Sequence, residues 1–118
     1  MPKVLKTKPK STVGLKEVSF VIPEHTPDGV RRDEILDSLE TSLLSEYQGF
    51  QSSPIDHVFL DENSDVISNE CTKYTVLLNN SNREISKLTE LLKGIGRELG
   101  QDYIYFVGVN NEPTIIEI

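Results

Sequence analysis

With a single cysteine in the chain, Cys71 has no partner for an internal disulfide, so the fold has to be held by its own core. A lone thiol fits a reducing compartment, and the expected location is the cytoplasm. No stretch approaches the roughly 18 consecutive apolar residues of a membrane-spanning helix, and no apolar segment of the signal-peptide kind follows the N-terminal lysines. Neither membrane insertion nor secretion is signalled, and Asn79-Asn80-Ser81 reads as a polar turn rather than a glycosylation site. Histidine is nearly as scarce as cysteine: His25 and His57 are the only two.

Two partial motifs fail on the residues they lack. Asp61, Asn63 and Asp65 match the first oxygen ligands of a calcium loop, but Val66 stands where the sharp bend needs glycine and Thr72 where a bidentate glutamate is required. A hairpin turn accounts for the same residues. Gly94-Ile95-Gly96 begins like a dinucleotide-binding loop, yet Leu99 occupies the third glycine position and the run lies inside a helical pattern rather than after a strand. Close packing of that helix on a sheet explains the two glycines, so no metal and no cofactor is expected.

What is present describes one folded domain. The 118 residues are enough for a single core and too few for two. At 36% apolar and 26% charged, they lie close to the average for globular proteins. The formal charge of −7 is segregated, because Lys3, Lys6, Lys8, Lys10 and Lys16 all fall in the first 16 residues, where no acid occurs. The rest carries seven basic against 19 acidic side chains, a net of −12. Residues 1–14 are expected to form a basic flexible tail and 15–118 a single domain. An acidic body repels phosphate backbones, which argues against nucleic-acid binding by the domain and leaves tail-mediated association with nucleic acid as an alternative.

Along the chain, Val18, Phe20 and Ile22 share one side of a first strand that Pro23 stops. Pro27-Asp28-Gly29 supplies a turn, and Ile35, Leu36, Leu39, Leu43, Leu44 and Tyr47 then recur at helical spacing up to Gly49. Gln51 to Pro54 reads as a loop, Ile55–Leu60 as a second strand, and Lys73–Leu78 as a third, forming a long hairpin bulged around Ser68 to Thr72. Ser81-Asn82-Arg83-Glu84 is a capping box ahead of Ile85, Leu88, Leu91, Leu92, Ile95 and Leu99, and Gly100 sits where a left-handed C-terminal residue is wanted. Asp102–Val109 and Thr114–Ile118 complete the strands. The fold class expected is α+β: a ferredoxin-like β-α-β-β-α-β antiparallel sheet with two helices on one face and an extra C-terminal strand.

The strands are apolar on both sides. Leu77 opposes Tyr74, Val76 and Leu78, while Tyr103, Tyr105 and Val107 oppose Ile104 and Phe106. Two helices cover one face only, so Leu77, Tyr103, Tyr105 and Val107 are expected to form an interface with another copy or a protein partner. The competing reading is that the tail or residues 48–72 fold over that face. The expected function is a non-catalytic protein-binding or regulatory module acting as a homodimer. The alternative is a small enzyme in which His57, Cys71 and Glu70 converge in a pocket between sheet and helix, joining an imidazole, a thiol and an acid. Asp56 and His57 point to opposite faces of a strand, so Asp56 cannot orient that imidazole.

The strand entering Pro27-Asp28-Gly29, the long hairpin with a Glu just before its last strand, and Leu99-Gly100-Gln101-Asp102 leading into a strand together resemble a bacterial family of small ferredoxin-like domains without assigned function. The resemblance spans Val18 to Val107. Members of that family tend to be exported and carry aromatic residues in the first helix where this chain has Ile35 and Leu39. The resemblance implies the fold and transfers no site.

Overall fold

The computed structural model describes residues 15–79 and 81–118; the lysine-rich segment 1–14 lies outside the described residues. The elements run β1 (Leu15–Pro23), α1 (Asp33–Tyr47), β2 (Gln51–Leu60), β3 (Val66–Asn79), α2 (Asn82–Glu98), β4 (Tyr103–Val107) and β5 (Pro113–Glu117). All strand pairings are antiparallel, and the five strands form one sheet in the order β2-β3-β1-β4-β5. The chain is α+β, and no described helix is long and apolar enough to cross a membrane.

Strand alternation sorts the sheet residues into two faces. Val18, Phe20 and Ile22 of β1, Tyr74, Val76 and Leu78 of β3, Ile104 and Phe106 of β4, and Ile116 of β5 are all buried in one cluster with the apolar stripes of both helices. Leu39, Leu43, Leu88, Leu92 and Leu99 are fully enclosed there. Spacing of three and four residues places them on the sheet-facing sides of α1 and α2, as the periodicity requires. Tyr74 is the largest enclosed side chain. Its ring stacks on Phe20 with centroids 5.6 Å apart, and its hydroxyl donates to Glu40 Oε2 at 2.7 Å, pinning α1 to β3.

Helix α2 keeps the C-terminal closure read from the sequence and part of the N-terminal one. The Ser81 hydroxyl accepts from the Glu84 amide, although the Ser81 amide bonds to the Asn79 carbonyl, so only half of the capping box forms. At the other end Gly100 is left-handed (φ 66°), with Gly100 N–H donating to the Arg97 carbonyl and Gln101 N–H to that of Gly96, a Schellman closure. Helix α1 has no side-chain cap, and Gln48, rather than Gly49, takes the left-handed position at its end.

Two expectations about the hairpin are corrected. Gln51 to Pro54 is strand, because β2 is an edge strand where Pro54, opposite Thr72, can leave its missing N–H toward solvent. No bulge interrupts Ser68 to Thr72: the pairing from Gln51 with Thr75 to Leu60 with Val66 keeps one register throughout. The turn is an Asx turn. Asp61 Oδ1 accepts from the amides of Asn63 and Asp65 at 2.8 and 2.9 Å, which commits that carboxylate to the backbone. Among the described residues no three His, Cys, Asp or Glu side chains gather as a metal site.

Candidate functional site

The sheet face away from the helices is where the residues singled out in the sequence assemble. Register places Val21, Cys71, Lys73, Ile55, His57, Tyr103 and Tyr105 on this face. A cleft of about 610 Å³ opens on this face. Its floor is Val21 and Pro23 of β1 with Cys71 of β3. One wall is the outer half of the hairpin, with His57, Phe59, Ile67 and Asn69. The opposite wall carries Tyr103 and Tyr105 of β4. The lip comes from two loops, His25 to Gly29 and Gly100 to Asp102.

Local sequence explains why the lip stands. Thr26 N–H donates to the Val30 carbonyl, and the Thr26 hydroxyl accepts from Val30 N–H and also bonds the Asp28 carboxylate. That last bond is the main reason the Asp28 carboxyl is held below its ordinary range. Arg31 reaches Glu24 at 3.0 Å and Asp33 at 2.7 Å, closing the base of the loop. Gln101 Nε2 spans the two lips, donating to the carbonyls of His25 at 3.5 Å and Leu99 at 3.3 Å. Gly100 is needed twice, for its positive φ and because a β-carbon there would sit 3.3 Å from Pro27 Cδ.

His57 pairs with Asn69, and Cys71 with Ile55, so the imidazole and the thiol share a face two residues apart along the hairpin. Glu70 pairs with Asp56 on the other face, and it reaches the cleft rim through a backbone that accepts from Glu24 N–H. The anticipated position of the pocket is therefore corrected: it lies on the open side of the sheet rather than between sheet and helix. Burial, followed by the charge of Glu24, pushes the Cys71 thiol up, while the His57 backbone N–H opposes this more weakly. A nucleophilic cysteine needs the opposite shift. Cys71 is 2% exposed, and its Sγ–H points to the Asn69 carbonyl. It serves as floor.

The four residues expected to form an interface divide. Tyr103 and Tyr105 line the cleft and remain 46% and 37% exposed. Leu77, 46% exposed, and Val107 lie outside it. Ile115 extends the exposed apolar surface beside Tyr105, its partner across β4 and β5. Sequence reasoning did not single out Phe59, Asn69 and Gln101. Phe59 packs edge-on against His57 with centroids 5.4 Å apart. Its position two residues after His57 in an alternating strand was the available signal.

No family model matches the sequence, and no curated protein matches it. A solved structure is similar in fold: a phage SAM lyase in complex with S-methyl-5'-thioadenosine, with a TM-score of 0.67 over 98% of this chain and 97% of that one, at 9% identity. At that identity the likeness concerns the fold.

Proposed function

We propose that the cleft on the open sheet face binds a small molecule of nucleoside size, with a thioether nucleoside of the S-methyl-5'-thioadenosine kind as its model ligand. The observation that carries this reading is the cleft itself: about 610 Å³, with aromatic and aliphatic side chains in its walls and floor, and two histidines, two amides and the acids Glu70 and Asp102 among the polar residues that line it. Tyr103, Tyr105 and Phe59 offer faces on which a planar ring can stack, and the Asn69 amide and the Gln101 side-chain carbonyl can read its polar edge. The fold shared with a phage SAM lyase bound to S-methyl-5'-thioadenosine supports the same ligand class. Titration of the protein with S-methyl-5'-thioadenosine, followed by calorimetry and amide chemical shifts, tests it. Saturable binding with shifts confined to the cleft residues is expected, and Tyr105→Ala should weaken it about ten-fold through lost stacking. No heat and no shifts at about millimolar ligand would sink the reading.

A separate observation favours a second reading, a homodimer or protein-binding module. Leu77 and Ile115 are exposed on this face outside the cleft, and Val58, Leu60 and Val66 are exposed near the hairpin tip. Sedimentation equilibrium decides it: a monomer at all concentrations would remove the dimer. The topology supports a finer assignment as well. With β5 set aside as an added edge strand, the order β2-β3-β1-β4 and the β-α-β-β-α-β succession favour a ferredoxin-like split βαβ arrangement.

A further inference from the structure

We infer that the cleft selects an organic cation, and that its occupant carries no phosphate; this rests on the small-molecule reading above. Among the described residues neither Lys nor Arg lines the cleft. Lys73 lies on the same sheet face, opposite Val21, but outside the lining residues. His25 and His57 reach the cleft, yet an imidazole is a cation only when doubly protonated, whereas phosphate sites are built on permanent cations or on stacked backbone amides at a helix start. The helix end at this cleft is the wrong one for an anion: Gly100 to Asp102 follow the C-terminus of α2, the negative pole of its dipole.

Each remaining feature favours positive charge. Asp102 lines the lip beside that helix end, and the chain as a whole carries −7. Phe59, Tyr103 and Tyr105 present ring quadrupoles whose negative faces attract an alkylated cation that needs no hydrogen-bond donor. A sulfonium or a quaternary ammonium meets these conditions, being both cationic and apolar at its surface. Glu70, although on the rim, alternates away from Cys71 and supplies backbone rather than charge.

The decisive comparison changes only the charge. S-methyl-5'-thioadenosine and its S-methylated sulfonium, 5'-dimethylthio-5'-deoxyadenosine, share every group but one methyl and one positive charge. Calorimetry on the full chain should find the sulfonium bound about ten-fold more tightly. Adenosine 5'-monophosphate should bind more weakly than either. Asp102→Asn should weaken the binding of the sulfonium more than that of the neutral thioether, so that the ratio of the two affinities falls toward one. Equal binding of thioether and sulfonium, or tighter binding of the monophosphate, would overturn the charge inference while leaving the cleft as a binding site. Absence of binding by all three would overturn both.

Discussion

Replacing Tyr74 with phenylalanine probes the tie between helix α1 and strand β3, and its consequence should depend on pH in a calculable way. The Tyr74 hydroxyl donates to Glu40 Oε2 at 2.7 Å, and the ring is fully buried. A hydrogen bond to a charged acceptor is worth about 1.5–3 kcal/mol. Glu40 is half-buried and regains water once the hydroxyl is gone, so the expected loss at about pH 7 is nearer 1–1.5 kcal/mol. Burial, reinforced by the bond to Glu40 and by its charge, pushes the Tyr74 phenol well above its usual value. The folded state therefore keeps its proton while the unfolded chain loses it near pH 10, and the stability Tyr74 contributes is complete below that pH and lost above it. At about pH 11 ionisation of the unfolded phenol costs the wild type about 1.4 kcal/mol, a term the Tyr74→Phe variant lacks. The other tyrosines are common to both proteins and cancel in the comparison.

Urea unfolding followed by far-ultraviolet circular dichroism suits a chain without tryptophan. The variant should be less stable at about pH 7, and the two proteins should converge at about pH 11. Glu40→Gln keeps an acceptor oxygen but removes the charge, and should lose about half as much at neutral pH. A deficit for Tyr74→Phe that stays the same at both pH values would refute the reasoning, because it would mean that the phenol ionises equally easily in the folded and unfolded states.

The two glycines of α2 should respond in opposite directions to alanine. A β-carbon at Gly94 meets nothing within 4 Å, so Gly94→Ala should stabilise by about 0.8–1 kcal/mol through helix propensity. At Gly96 it would lie 2.5 Å from Ile118 Cδ1 and 3.3 Å from Ile104 Cδ1, so Gly96→Ala should lose about 1 kcal/mol net. Thermal unfolding of the pair checks both signs; a gain at Gly96 would contradict the packing of the C-terminus on α2. Iodoacetamide at about pH 8 should alkylate Cys71 in the folded protein at least ten-fold more slowly than free cysteine. An equal rate would remove Cys71 from the cleft floor.

The cleft joins these stability arguments to the proposed ligand binding, because its lips are the ends of structural elements. Gln101 and Gly100 close α2 and also form one lip, and the Thr26 turn forms the other. Substitutions that loosen the helix end should therefore be felt in ligand affinity as well as in stability. This arrangement suits a site whose shape depends on two loops held by only a few hydrogen bonds.

Periodicity alone located both helices and the buried faces of β1, β3 and β4, since side-chain alternation and helical spacing are local properties of the chain. The left-handed Gly100, the Ser81 cap and the Asp61 turn were legible for the same reason: each satisfies neighbouring backbone groups with its own chemistry. The surplus of apolar residues on the second sheet face was legible too, and Leu77, Tyr103 and Tyr105 are indeed exposed there. What covers that face was not. The strand character of Gln51 to Pro54 comes from pairing with Lys73 to Thr75 and Thr72, residues about 20 positions away, which no local preference encodes. The cleft likewise draws on β1, both hairpin strands, β4 and two loops, so its volume and its lining exist only once the register of four strands is set. By itself the sequence determined which residues would be apolar, acidic or turn-forming. Only the tertiary structure decided that His57, Phe59, Cys71, Tyr103 and Tyr105 share one concave face, because that outcome depends on long-range strand pairing.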